Sequence, residues 1–273
     1  MPTYNEAAYE NAIIALFEGM GWTHVYGPDV GRDFTSPLYD AVLQDSLRRL
    51  NPALPEEAIQ DALHRLRNFE IGELTQKNAV FMDYLQAGVP VRYFVGGEER
   101  SGIVCLADYR DVDNNSFIIA NQWTVVEHST KRPDVLLFLN GLPVVVMELK
   151  SPSRDQTDAS EAYLQLRNYI QEIPSLFIYN AICVMSDQLI SKAGTITSGE
   201  DRFMEWKTRD GEGEDQAFAA FDTFFEGMFR KARLLDLIEN FICFSNEGTK
   251  RKKILAGYHQ YFAVKKAVES TRR

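Results

Sequence analysis

The sequence is short of the features that mark disulfide-stapled, zinc-binding, membrane and broadly DNA-coating proteins. Its three cysteines, Cys105, Cys183 and Cys243, are far apart and odd in number. Set in apolar runs, they read as reduced core thiols of a cytoplasmic protein, not as a disulfide framework. The histidines, His24, His64, His128 and His259, show no zinc-type spacing. No apolar run is long enough to span a bilayer, and the N-terminus lacks the basic-then-apolar layout of a signal peptide, so no membrane role is expected. Positive charge is scarce. Lys and Arg number 29 against 39 Asp and Glu, a net −10, which counts against a broad electrostatic grip on nucleic acid. The one dense basic run is 250–253, and no internal repeat or low-complexity segment occurs.

Against that background residues 132–152, RPDVLLFLNGLPVVVMELKSP, stand apart. Two apolar β-branched runs, 135–139 and 144–147, flank Asn140-Gly141, a strong short-range hairpin signal. Charge sits only at the open end: Asp134 enters the first strand, and Glu148 and Lys150 leave the second. Side chains alternate along a strand, so Glu148 and Lys150 share a face. Two carboxylates and an amine beside an apolar hairpin are costly unless something binds there, and a divalent metal ion is the simplest occupant. A strict two-residue Asn-Gly turn would pair Asp134 with Met147 and put Glu148 on the opposite face. A shared metal site needs Asp134 across from Glu148. The sequence therefore predicts a three-residue loop or a bulge near 140–143, where Pro143 lacks a ladder donor.

Apolar stripes predict helices over 4–20, stopped by Gly21, and over 37–50, 55–68 and 72–87. The last three form a helical insertion (36–88) with a wet surface and no assigned chemistry. Strands are expected at 22–26, 89–95, 102–106, 116–127, 176–185, 193–197 and 203–207. A helix over 157–172 places Gln165 and Tyr169 on one face. Helices over 217–230 and 234–244 follow an acidic Gly-rich loop at 210–215. Residues 246–253 read as a linker, and 254–269 as a helix with little partner surface. The fold class is α/β, a mixed β-sheet flanked by helices. The division is 1–245 as one domain and 246–273 as linker and the start of another.

Hydrolysing a phosphodiester needs a divalent cation, hard oxygen ligands to hold it, and a positive group to offset developing charge. Asp134, Glu148, the Leu149 carbonyl and Lys150 supply that set. On the triplet alone a structural ion pair is an equal reading; the Pro-Asp entry, the hairpin and the apolar flanks favour the functional one. Gln165 and Tyr169 read alternatively as an i,i+4 pair on an exposed helix. Arg167, Lys131 and Arg132 read as phosphate contacts or as plain solvated surface. Glu6 and Glu10, one turn apart on the first helix, read as a solvated face.

At these residues the chain resembles the PD-(D/E)xK nuclease superfamily. Pro133-Asp134 and Glu148-Leu149-Lys150 match its motif, and 165–169, QLRNY, fits the Q-x-x-x-Y element of the RecB-like branch. Glu10 sits where that branch and archaeal junction resolvases carry an acid on the first helix. The resemblance thus implies that Glu10 belongs to or supports the metal site, with Glu6 a surface residue. Within the superfamily, NGLPVVVMELKSP, LFIYNAICVMSD, AGTITSG…RFMEWK and the tail AGYHQYFAVKKAVE are similar to the N-terminal nuclease region of type I restriction enzyme R subunits. That resemblance implies a restriction-endonuclease-like fold, with Asp134, Glu148 and Leu149 holding Mg²⁺ and Mn²⁺ as a substitute. Lys150 would position the attacking water or stabilise the pentavalent phosphate, and Gln165, Tyr169 and Arg167 would contact DNA or support the site. The implied partners are double-stranded DNA and the modification (methyltransferase) and specificity subunits. The sequence contains no G-x-x-x-x-G-K-[ST]. ATP binding is therefore expected only through a motor domain that begins within 246–273 and continues past it, its start including Gln260 as an adenine contact. The opposing expectation is a catalytically silent docking domain, which has no reason to keep an acid-acid-lysine set.

Overall fold

The computed structural model describes residues 6–150, 159–187, 189–215, 221–247 and 250–272. Helix α1 (Glu6–Gly19) turns through Gly21, at φ +84°, into β1 (Thr23–Tyr26). Helices α2 (Asp40–Leu50), α3 (Glu56–Arg67) and α4 (Leu74–Ala87) precede a ribbon of β2 (Val89–Val95) and β3 (Glu98–Val104). Next come β4 (Phe117–Asn121), the short pair β5 (Val125–Val126) and β6 (Thr130–Lys131), then β7 (Val135–Leu139) and β8 (Leu142–Leu149). Helices α5 (Ala159–Glu172) and α6 (Pro174–Ile178) lead to β9 (Ile182–Ser186) and β10 (Ser191–Gly194). The chain continues through α7 (Phe221–Phe229), α8 (Lys231–Asn240), the ribbon β11 (Ile242–Glu247) and β12 (Lys250–Leu255), and α9 (Tyr258–Arg272).

One six-stranded sheet, in the order β1-β4-β7-β8-β9-β10, organises these elements. β1 with β4 and β8 with β9 are parallel; the other neighbours are antiparallel. Strands β7 and β8 are buried along their whole length because apolar layers cover both faces. Val135, Leu137 and Leu139 pack with Phe17, Leu43, Phe81 and Phe225 on one side. Leu136 and Phe138 pack with Trp123, Leu166 and Tyr169 on the other. This is the mixed, helix-flanked sheet of the restriction-endonuclease-like fold. Among the described residues no helix is long and apolar enough to cross a membrane.

Several local expectations are corrected. The strand expected over 116–127 breaks at Gln122, whose φ of +57° ends the ladder. Within 176–185, Pro174 sets the first turn of a helix and the strand begins only at Ile182; a short apolar run cannot by itself distinguish the two. Buried Asn78 of α4 stabilises that outcome, its Nδ2 donating to the carbonyls of Phe177, Ile178 and Asn180 at 3.2, 2.9 and 2.7 Å. Of the strand pair expected at 193–197 and 203–207, only the bridge Ala193–Met204 forms beside β10. The charged residues of α2–α4 do form a wet surface, as expected, while Leu43, Leu63, Phe81 and Leu85 join the main core. Of the cysteines only Cys183 is buried; Cys105 and Cys243 are exposed.

The stretch read as a linker is the β11–β12 ribbon, with Ser245 opposite Lys252 and Asn246 opposite Arg251. It is bound in: the Thr195 and Thr197 hydroxyls donate to the Lys253 carbonyl at 3.0 and 3.2 Å. Helix α9 also has a partner surface. Tyr261 packs on Phe241 and Trp206, and its hydroxyl donates to Asp236 at 2.7 Å.

The Lys253 ammonium is buried and donates to the Asn180 carbonyl at 2.6 Å. Burial pushes its pKa down to about 7, against ~10.4 for a free lysine. Between those values the unfolded chain binds more protons than the folded one, so stability rises with pH there and the penalty is full below about pH 7. Asn180 keeps its bond from Asn78 when the amine is removed. Lys253→Met is therefore expected to raise Tm by several degrees at pH 7, with the gain shrinking toward pH 10, as thermal melts at both values would show.

Candidate active site

The central hairpin turns on two residues, Asn140 at φ +52° and Gly141 at φ +83°, the left-handed pair that a tight right-twisted hairpin requires. Asn140 also locks the turn from its side chain: Oδ1 accepts from Ser116 N at 2.7 Å, and Nδ2 donates to the Leu106 carbonyl at 3.0 Å. A Cβ on Gly141 would lie 2.5 Å from Leu43 N of α2, so only glycine fits.

The irregularity expected near Pro143 is present one residue on. Phe138 pairs with Pro143, but Leu137 pairs with Val145, leaving Val144 as the extra residue of a bulge. Val144 and Val145 accordingly face the same core layer. Past the bulge Val135 is opposite Met147, so Asp134 and Glu148 come opposite each other. Both continue the alternation of Leu136 and Val146, which face α5.

The charged groups converge there. Asp134 Oδ2 accepts from Leu149 N at 2.8 Å, and Gln122 N donates to the Asp134 carbonyl at 3.3 Å. Lys150 N donates to the Ser186 carbonyl of β9 at 2.8 Å, and its Nζ reaches Glu148 Oε1 at 2.5 Å and the Leu149 carbonyl at 3.2 Å. Glu148 is 2% exposed. Its Oε2 is buried without a hydrogen bond of ordinary geometry among the described residues, although the Tyr169 hydroxyl is close enough to help stabilise the carboxylate charge. Gln165, one turn back on α5, lies close enough to Tyr169 to oppose part of the rise in its pKa.

Burial and then the Glu148 charge push the Asp134 carboxyl up to about 8, against the pull of Leu149 N–H and Lys150. Burial raises Glu148 as well, opposed by Lys150. Burial lowers the Lys150 ammonium, but Glu148, Asp134 and Glu6 outweigh it and leave its pKa raised. Burial and the Glu148 charge push the Tyr169 hydroxyl up.

Asp134, Glu148, Leu149, Lys150, Gln165 and Tyr169 thus meet in one place. Glu10 takes a bracing position: its carboxylate accepts from Asn121 Nδ2 at 2.7 Å and Gln122 Nε2 at 3.2 Å, at the end of β4 behind Asp134. Arg167 Nη1 donates to the Ile196 carbonyl at 2.9 Å, tying α5 to the chain after β10. Gln260 Oε1 accepts from Gly257 N at 2.9 Å and caps α9. Sequence reasoning missed Glu6, expected to be plain surface, whose Oε1 lies 3.8 Å from Lys150 Nζ. Choosing between two acids one turn apart depends on how α1 docks, which no local signal reveals.

Among the described residues no three His, Cys, Asp or Glu side chains gather as a ready-made metal cage. The donors on hand are two carboxylates and the Leu149 carbonyl, all hard oxygens. Among the described residues, a buried Glu148 oxygen lacks a hydrogen bond, and burial and the Glu148 charge push the Asp134 carboxyl up to about 8, so a cation would relieve both acids. That chemistry fits Mg²⁺ or Mn²⁺.

A mixed sheet whose central hairpin ends in Asp…Glu-x-Lys defines a restriction-endonuclease-like domain. Residues 3–202 match the family described as type I restriction enzyme R protein N terminus. The chain belongs to that family. It is 33% identical, over 98% of its length, to the type I restriction enzyme HindI endonuclease subunit of Haemophilus influenzae. It is 28% identical, over 96% of its length, to a Methanocaldococcus jannaschii protein named for the MjaIXP type I restriction enzyme endonuclease subunit. In each case it spans 27% of the relative.

An Asp raised to about 8 binds more protons folded than unfolded between pH ~4 and that value. Its stability contribution is therefore full below pH ~4 and lost as pH rises to about 8. Asp134→Asn, which keeps an acceptor for Leu149 N, is expected to raise Tm in chelator-treated protein, more at pH 8 than at pH 5. Melting curves at the two pH values check this.

Proposed function

We propose that this region is the Mg²⁺-dependent endonuclease module of a type I restriction enzyme R subunit, acting in the cytoplasm on duplex DNA. Phosphodiester hydrolysis would occur on DNA brought to it by the motor, modification and specificity parts of the assembled enzyme. One observation carries the reading: the bulge at Val144 sets Asp134 and Glu148 on one face with Lys150 beside them. A buried acid pair in that position burdens the fold unless it binds a cation. The names of the relatives, endonuclease subunits of type I restriction enzymes, support it. So does the net charge of −10, which suits a domain that relies on partners to hold the duplex.

Asp134, Glu148 and the Leu149 carbonyl would hold the cation, which supplies polarisation of the phosphoryl oxygen and a more acidic water. Lys150 donates protons in hydrogen bonds to that water or to a non-bridging oxygen, offsetting charge as the phosphorus becomes pentavalent. Tyr169, close to the Glu148 carboxylate and with Gln165 beside it, would help to stabilise that carboxylate's charge. Glu10 holds Gln122, whose N–H is bonded to the Asp134 carbonyl.

The purified chain is expected to nick supercoiled plasmid in Mg²⁺ or Mn²⁺ and to stop in chelator. Asp134→Ala and Lys150→Ala should each cut the rate by about 100-fold or more. Equal rates in all three proteins would assign the cleavage to a contaminant and leave the docking role standing.

A further inference from the structure

In the structure Lys150 Nζ is shared unequally, at 2.5 Å from Glu148 Oε1 and 3.8 Å from Glu6 Oε1. The Glu148 side chain is 3% exposed and held by β8, whereas Glu6 is 47% exposed at the start of α1. Only one of the two carboxylates can readily move. A divalent cation on Asp134 and Glu148 would put two cations, the ion and the Lys150 ammonium, on a single carboxylate. At these separations that repulsion is large, because the site is largely dry. The ammonium cannot retreat into the core. Behind it stands the sheet, with Lys150 N fixed to the Ser186 carbonyl. Among the described residues, the acid that already faces it from the solvent side is Glu6.

We propose that Glu6 is a positioning residue that receives the Lys150 ammonium when the Asp134–Glu148 pair takes up a divalent cation. Glu6 closes the remaining gap to Nζ, frees Glu148 Oε1 for the ion, and keeps the amine poised at the mouth of the site. Glu10 cannot do this, since both its oxygens are engaged by Asn121 and Gln122. The proposal rests on the metal-binding reading above and adds a role for an acid that touches neither the cation nor the substrate.

The test is a double-mutant cycle read by calorimetric titration with Ca²⁺ alone, which requires no cleavage. Glu6→Gln is expected to weaken Ca²⁺ binding by about three- to tenfold in the otherwise unchanged chain. In a Lys150→Met background the same substitution should change affinity by less than about twofold, because Glu6 acts through the amine. Glu18→Gln, exposed on the same helix, controls for loss of one charge from α1 and should leave affinity unchanged. A loss of equal size in both backgrounds would mean that Glu6 acts only as a distant charge, and would overturn the proposal while leaving the metal site intact. Absence of Ca²⁺ binding by the unsubstituted chain would remove both together. Should Lys150→Met not fold, a Ca²⁺-loaded crystal of the unsubstituted chain decides. Lys150 Nζ nearer Glu6 than Glu148 supports the transfer, and an ammonium still seated on Glu148 Oε1 defeats it.

Discussion

One extra residue in one strand decides which face of the sheet carries charge. Side chains alternate with period two, so every register step flips a strand's whole pattern. Without Val144 the Asn140-Gly141 turn would pair Asp134 with Met147 and set the two acids on opposite faces. With it, both carboxylates lie under α5. A bulge is tolerated only where its surroundings leave no better register. Here the turn is locked by Asn140 against Ser116 and Leu106, and by Gly141 against α2. At the other end, the Leu149 N–H is committed to Asp134. The apolar residues between them, Val135–Leu139 and 144–147, are buried on both faces and cannot slip without exposing a core layer. Helix α2, far from the charged end in sequence, therefore helps to position it.

That placement is kept at a cost. Among the described residues two acids and a lysine share a largely dry site, where burial and then the Glu148 charge push the Asp134 carboxyl up to about 8 and one Glu148 oxygen lacks a hydrogen bond. An ion pair evolved for stability alone would bring one acid to one base, with every oxygen satisfied. Excess carboxylate with nearby hard-oxygen donors suits a site whose missing charge arrives from outside. The acidic balance of the whole chain fits the proposed function, in which other parts of the enzyme would bring DNA to this region.

How much of this the sequence disclosed follows from the range of each signal. The hairpin, its turn residues, the acids at its open end and the need for a bulge were all readable, since period and turn chemistry are local. Gln165 and Tyr169 were placed correctly on one helical face for the same reason. The apolar run after Pro174 was misread because length, not pattern, separates a short buried helix from a strand. The 246–253 ribbon was misread because its polar and basic residues resemble a linker until Thr195 and Thr197 are seen to bond to it. Glu6 was invisible because its role depends on where α1 docks against β8, a contact across most of the domain.

The basic run at 250–253 shows why a charge count along the chain misleads. Strand alternation turns Lys253 inward, where its ammonium serves the Asn180 carbonyl and adds nothing to a phosphate-binding surface. The same residue sits at a structural junction. Its backbone is bonded to Thr195 and Thr197, and between these lies Ile196, whose carbonyl holds Arg167 of α5. A continuous path of hydrogen bonds thus runs from the C-terminal ribbon to the helix that carries Gln165 and Tyr169 over the carboxylate pair. Arg167, which reads as a phosphate contact in the sequence, is committed to holding that helix in place, and the Lys253 ammonium of the basic run is committed to the Asn180 carbonyl. At these two positions positive charge braces the interior, and among the described residues Lys150 is the cation hydrogen-bonded to Glu148.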